Sequence, residues 1–310
     1  MNTPHLLSSL SRSQLQDRLF GDGLDLLIPP FAVRVQSRID VVAEGLACLY
    51  ADYQISPFRG TGFSDFHVSL LSCRRWFRPL CAFQLDGVQP FTPLALSEAF
   101  ALFEWGLNWC VTSHCHQWVT LHAAVLERDG RAVILPAPPG SGKSTLCAAL
   151  MFRGWRLLSD ELTLLEPESG LVMPCPRPVS LKNISIDVIR ERAPDCTIGP
   201  IAHDTQKGTV AHLKVSHDSL LRAGERALPG WIVFPRYERG APLDVRVRAK
   251  SAALLDLARN SFNQHVHGRT GFQALARLVD TCDSFDLRYS QLDQAMVWFD
   301  ALEPPTAGWA

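Results

Sequence analysis

Residues 137–144, Ala-Pro-Pro-Gly-Ser-Gly-Lys-Ser, carry the most legible chemistry of this chain. They fill the template G-x-x-x-x-G-K-[ST] except at its first position, where Ala137 replaces glycine. Gly140 and Gly142 leave the backbone bare, so the N–H groups around Ser141 can turn inward on phosphate oxygens. Pro138 and Pro139 stiffen the entry. Ala137 precedes a proline and is pushed to extended dihedrals that any residue adopts. Lys143 supplies a point charge for the β- and γ-phosphates and Ser144 a hydroxyl for Mg²⁺, with Thr145 completing a set that suits ATP.

Such a loop needs a strand before it and a helix after it. The apolar run 131–135 supplies the strand. Leu146, Ala149 and Leu150 fall at helical spacing over roughly 142–152, aiming a positive helix end at the loop. Upstream, 118–126 reads as a strand, and Asp129-Gly130 is a two-residue hairpin signal. That turn sets a register in which paired positions sum to 259, so His122 lies opposite Ala137 at the mouth of the loop. Residues 155–165 read as a further strand, its first half placed beside the loop's own strand. Asp160 and Glu161 are then near the terminal phosphates, where carboxylates bind Mg²⁺ or accept a proton from an attacking hydroxyl. Lys182 and Asn183 are candidates to reach phosphate or metal, and Lys207-Gly208-Thr209 reads as a basic lid. His114-Cys115-His116 offers neighbouring ligands too crowded to converge on one tetrahedral ion.

The remaining elements frame this block. Residues 1–20 read as a short amphipathic helix. Runs at 31–39, 66–70 and 80–83 alternate like strands of an antiparallel sheet. Residues 97–110 form a core-facing helix with Ser97 as N-cap. After 174–178, a rigid proline-rich segment, come strands at 230–234 and 285–289 and helices at 251–260, 271–282 and 292–302. Interleaved strands and helices predict an α/β half with a mixed sheet. The chain divides on this reading into a β-rich N-terminal domain with its linking helix, 1–112, and a catalytic domain, 113–310.

Composition sets the outer bounds. With 30 basic against 31 acidic residues and a net charge of −1, bulk electrostatics offers no grip on nucleic acid or on a membrane surface. The nine cysteines are odd in number and lack any C-x-x-C, which predicts neither a disulfide framework nor a zinc ribbon and fits a reducing, cytoplasmic compartment. No apolar run is long enough to span a bilayer.

The block Leu121-His-Ala-Ala-Val, Gly130-Arg-Ala-Val, Pro139-Gly-Ser-Gly-Lys-Ser-Thr, Arg153-Gly154 and Asp160-Glu161 resembles the catalytic core of the HPr kinase/phosphorylase family, and more closely its HPr-kinase-related branch. The resemblance is strong over 120–161. It implies a P-loop kinase domain of the type shared with phosphoenolpyruvate carboxykinases, using ATP and Mg²⁺. It implies that Asp160 is the general base on a serine hydroxyl, assisted by His122. Lys143 and Ser144 serve phosphate and Mg²⁺, and Glu161, where the family has a second Asp, supports the metal. Two departures argue against HPr as acceptor and against the reverse phosphorylase reaction. The stretch 179–183 carries no carboxylate, leaving Lys182 to make a phosphate contact, and the N-terminal half is unlike that of the bifunctional enzyme. The resemblance implies a protein or peptide acceptor, associated in the related branch with PqqD-like carriers, and a homo-oligomer. Two alternatives stay open: a kinase for a small hydroxylated metabolite such as a sugar or free serine, and a nucleotide-sensing module without turnover.

Overall fold

The computed structural model describes residues 5–57, 62–75, 78–138 and 140–303. Contact density divides the chain into two units: Met1–Val111 with Ser180–Leu220, and Thr112–Val179 with Leu221–Ala310. Residues 180–220, placed by the sequence reading in the second half, thus group with the first.

In the first unit, helix α1 (Arg12–Phe20) starts at a capping box, Ser11 accepting from Gln14 N–H while the Gln14 side chain accepts from Ser11 N–H. Strands β1 (Leu24–Ile28) and β2 (Phe31–Ser37) form an antiparallel hairpin. Helix α2 (Asp40–Leu49) then carries the chain over to β3 (Phe66–Arg75), which runs parallel to β2. Strands β4 (Arg78–Leu85) and β5 (Leu94–Ala95) finish a five-stranded sheet in the order β1-β2-β3-β4-β5. The antiparallel sheet expected here is therefore mixed. A 3₁₀ turn, Leu96–Glu98, precedes α3 (Ala99–His114), and Ser97 lies inside that turn without capping the helix. Gly45 of α2 lets the Phe100 ring of α3 approach so closely that a Cβ there would overlap it.

The second unit begins with β6 (Val119–Arg128) and β7 (Arg131–Pro136). They pair antiparallel from Ala123↔Pro136 to Arg128↔Arg131, the register expected from the turn, whose Asp129 and Gly130 both have positive φ. Helix α4 (Lys143–Phe152) follows the loop. The strand expected over 155–165 is broken at Asp160-Glu161 into β8 (Arg156–Ser159) and β9 (Leu162–Leu165). Both halves pair with β6, so neither borders the loop's strand β7, contrary to the expectation for the first half. Short β10 (Val172–Met173) closes that edge.

The chain next returns to the first unit, where β11 (Val179–Lys182), α5 (Ile184–Arg192), β12 (Ala202–Thr205) and β13 (Gly208–Leu213) give a three-stranded sheet in the order β11-β13-β12, followed by short α6 (His217–Leu221). Lys207 sits in the tight β12–β13 turn with its ammonium 4.6 Å from the Trp105 ring centroid, and the lid expected there is the turn of a hairpin. The Asn183 side chain joins the same turn, accepting from Thr209 N–H at 3.0 Å, and is thereby committed to structure.

Back in the second unit, β14 (Leu228–Tyr237) runs parallel to β7, and β16 (Asp283–Tyr289) parallel to β14, with β15 (Asp244–Val247) antiparallel at the edge. Helices α7 (Lys250–Arg259), α8 (Gln264–Thr281) and α9 (Leu292–Asp300) complete it. Val119, Leu121, Ala123 and Val125 of β6 pack with Ala253 and Leu257 of α7 and Leu275 and Leu278 of α8. The alternate residues Ala124, Leu126, Val133 and Leu135 are just as fully buried, and α4 packs against β6. The sheet is covered on both faces, which is why its central strands read as continuous apolar runs.

Candidate functional site

Strand β7 ends at Pro136, and the loop that follows is held by its neighbours. Ala137 is buried and Pro138 exposed; Pro139 lies outside the described residues. Ser141 N–H donates to the Pro138 carbonyl at 3.3 Å, tightening the turn. Gly142, with φ of 86°, is the residue immediately before α4, so the unpaired N–H groups of the first helical turn face the loop. A side chain at Gly142 is excluded twice, by the positive φ and by Tyr289 Oη, 2.6 Å from where its Cβ would be.

Within this frame Lys143 is 8% and Asp160 4% exposed, burial that charged groups tolerate only among polar partners. Ser144 Oγ donates to Asp160 Oδ2 at 3.1 Å. A loop hydroxyl beside a strand-end carboxylate is the pair of oxygens that phosphate-loop proteins present to Mg²⁺. The donor set is hard oxygen, which suits that ion. Cys147, one turn into α4, touches the same carboxylate. Burial first, then the Asp160 charge, pushes its thiol well above the ordinary range, so it remains a neutral thiol. The Ser141 hydroxyl is buried without a hydrogen-bond partner among the described residues, which fits a loop shaped for an oxyanion it does not itself provide.

His122 marks a fork in the sheet. From Ala123 onward β6 pairs with β7, whereas His122 N–H donates to the Asn260 carbonyl at 2.7 Å and Leu121 bridges Ser261. The loop leaves at the point where β7 peels from β6, and the ladder stops one pair short of the expected His122–Ala137 match. On its other side His122 pairs with Leu162. Asp160 lies in the bend between Ser159, the partner of Val125, and Leu162, the partner of His122. The half-buried His122 ring is 5.8 Å from that of Phe262. Glu161 is half-buried at the break between β8 and β9. Thr145 follows Ser144 on α4, also half-buried.

Lys182 closes β11 in the first unit, its N–H bonded to Ser185 Oγ at 2.7 Å; the loop belongs to the second unit. Among the described residues, no group of three or more His, Cys, Asp or Glu side chains could hold a metal ion, the His114–His116 segment included. No helix among them is long and apolar enough to cross a membrane.

Sequence reasoning missed Tyr237 and Tyr289, the paired last residues of β14 and β16. Tyr237 N–H donates to Ser141 O at 2.9 Å and Tyr289 Oη donates to Gly142 O at 3.3 Å. No spacing rule could find them, because they reach the loop through a parallel register between segments about fifty residues apart. Residues 235–240 read as a turn, and the strand instead continues to Tyr237.

No family model and no curated protein matches this chain. Among solved structures it aligns with the Hpr(Ser) kinase/phosphatase from Coxiella burnetii at 16% identity, over 58% of this chain and 95% of that one, with a TM-score of 0.27.

Proposed function

We propose that this protein is an ATP- and Mg²⁺-dependent kinase that transfers the γ-phosphoryl group to a serine hydroxyl of a protein or peptide other than HPr. The observation that carries this reading is the 3.1 Å contact between Ser144 Oγ and Asp160 Oδ2 at the foot of a glycine-lined loop. Ser144 Oγ and Asp160 Oδ2 would hold Mg²⁺ there, and the ion would supply charge neutralisation during transfer. The loop N–H groups and Lys143 bind and orient the phosphates. Asp160 accepts the proton of the acceptor hydroxyl as its oxygen bonds to the γ-phosphorus, the bond to the β-phosphate oxygen breaks and ADP leaves. His122, whose strand partner Leu162 is two residues beyond Asp160, supports the carboxylate. Most of the rate gain comes from positioning and charge compensation. We assign Glu161 to metal support. We propose as acceptor a protein or peptide associated with PqqD-like carriers, in the cytoplasm, with the kinase as a homo-oligomer.

The test is transfer from γ-labelled ATP to proteins of an extract from the native source. Lys143→Ala is expected to abolish labelling, and Asp160→Asn to retain ATP binding at saturating Mg²⁺ while losing transfer. Labelling by Asp160→Asn at the parental rate would remove Asp160 from the base role. The burial of Asp160 favours one second reading, a nucleotide sensor without turnover, because a closed carboxylate is hard for an acceptor to reach. Tight ATP binding with no labelled product decides for that reading.

A further inference from the structure

We infer that Tyr237 and Tyr289 are positioning residues that hold two successive peptide planes of the loop in the orientation that binds phosphate; this rests on the nucleotide-binding reading above. The argument begins with peptide geometry. In a planar trans peptide, the carbonyl of one residue and the N–H of the next point in opposite directions. The Ser141 carbonyl is pinned toward the sheet by Tyr237 N–H at 2.9 Å. The Gly142 N–H of that plane must therefore point the other way. The Gly142 carbonyl accepts from Leu146 N–H at 3.0 Å, the first bond of α4, and also from Tyr289 Oη at 3.3 Å. The N–H of Lys143, in the same plane, is likewise turned outward. Two adjacent N–H groups facing one side make an anion-binding nest, and both are set by residues at the ends of β14 and β16.

The rings brace each other. Tyr237 and Tyr289 meet edge to face with centroids 5.9 Å apart and are partners in the β14–β16 register, so neither can move independently. The Tyr289 hydroxyl also occupies the space that a side chain at Gly142 would need. The loop's shape is thus imposed from the strand ends beneath it as well as by its own glycines.

The test uses the full chain and Mg·ATP in titration calorimetry, which separates affinity from the fraction of competent protein. Losing one hydrogen bond that orients the nest should weaken binding roughly five- to tenfold in Tyr289→Phe. The stoichiometry should stay at the parental value, since a merely structural role would lower the number of competent sites and leave their affinity alone. Gly142→Ala is the second probe. Its loss of affinity should be smaller in the Tyr289→Phe background, where the blocking oxygen is gone. An unchanged dissociation constant for Tyr289→Phe overturns the inference, as does strict additivity of the two substitutions. Failure of the parent protein to bind Mg·ATP would instead overturn the nucleotide site itself.

Discussion

His122 donates its backbone N–H to Asn260, and the next residue, Ala123, is the first of β6 to face β7. The strand thus changes partner at His122, one pair before the register that would set it opposite Ala137. Because the backbone makes that junction, the imidazole can be exchanged without undoing it. His122→Asn is expected to cost about 1 kcal/mol of stability through the lost ring contact with Phe262. Phosphoryl transfer should fall on the order of 10²-fold if the ring assists proton movement. Single-turnover transfer with γ-labelled ATP beside a thermal melt reads both. A loss of stability that matched the loss of transfer would reduce His122 to a packing residue.

Ser144 and Asp160 make a pair whose coupling can be measured. If one Mg²⁺ lies on both oxygens, Ser144→Ala and Asp160→Asn should each raise the Mg²⁺ concentration needed for half-maximal ATP binding, roughly tenfold for about 1.4 kcal/mol of lost interaction. The double variant should cost clearly less than the sum, because the second substitution removes a contact already broken. Additive effects would mean that the hydroxyl and the carboxylate serve the nucleotide separately.

The loop, its helix and the hairpin register were legible because each is a local rule: glycine and lysine spacing, 3.6-residue periodicity, turn chemistry. What escaped is non-local. Strand β8 was expected beside β7, as in a parallel phosphate-loop sheet, yet β6 stands between them and β14 takes the vacant edge. Nothing in the apolar run 155–165 distinguishes those neighbours, since both bury it on two faces. Helix α2 was hidden differently. Val42, Leu46 and Leu49 keep helical spacing, but Gly45 in the middle reads as a breaker until the Phe100 ring shows why no side chain fits. Asn183 and Lys207 illustrate the opposite error. Polar residues in a loop invite a ligand, and here they tie a hairpin and cover an aromatic ring.

Glu127 and Arg156 form a buried ion pair at 2.5 Å, their side chains 1% and 2% exposed. Arg156 Nη1 also donates to the carbonyls of Arg222 at 2.7 Å and Glu225 at 3.0 Å, while Glu127 accepts from Gly130 N–H in the hairpin turn. Removing Glu127 leaves the buried Arg156 charge without its carboxylate. Glu127→Ala is therefore expected to destabilise the protein by about 3–5 kcal/mol, and Glu127→Gln, which keeps a hydrogen-bonding oxygen, by less. Urea unfolding at neutral pH gives the comparison. Equal midpoints for Ala and Gln would show that the charge contributes nothing here.

Alkaline pH should expose the cost of burying acidic groups. Burial is the first cause holding the Cys81 and Cys282 thiols at about 12 against an ordinary 9.0, and it also raises Tyr289. Between pH 9 and 12 the unfolded chain has released these protons while the folded chain retains them. The unfolded state then binds fewer protons, and stability falls as pH rises. For the well-buried Cys282 the expected slope is about 1.4 kcal/mol lost per pH unit above 9. Below pH 9 both states hold the proton and the term vanishes. Cys282→Ala removes this contribution, so its stability should decline less steeply from pH 9 to 10.5 than the parent's, whatever constant offset the lost sulfur introduces. Parallel curves over that range would mean that Cys282 ionises as readily folded as unfolded, and that water reaches the thiol.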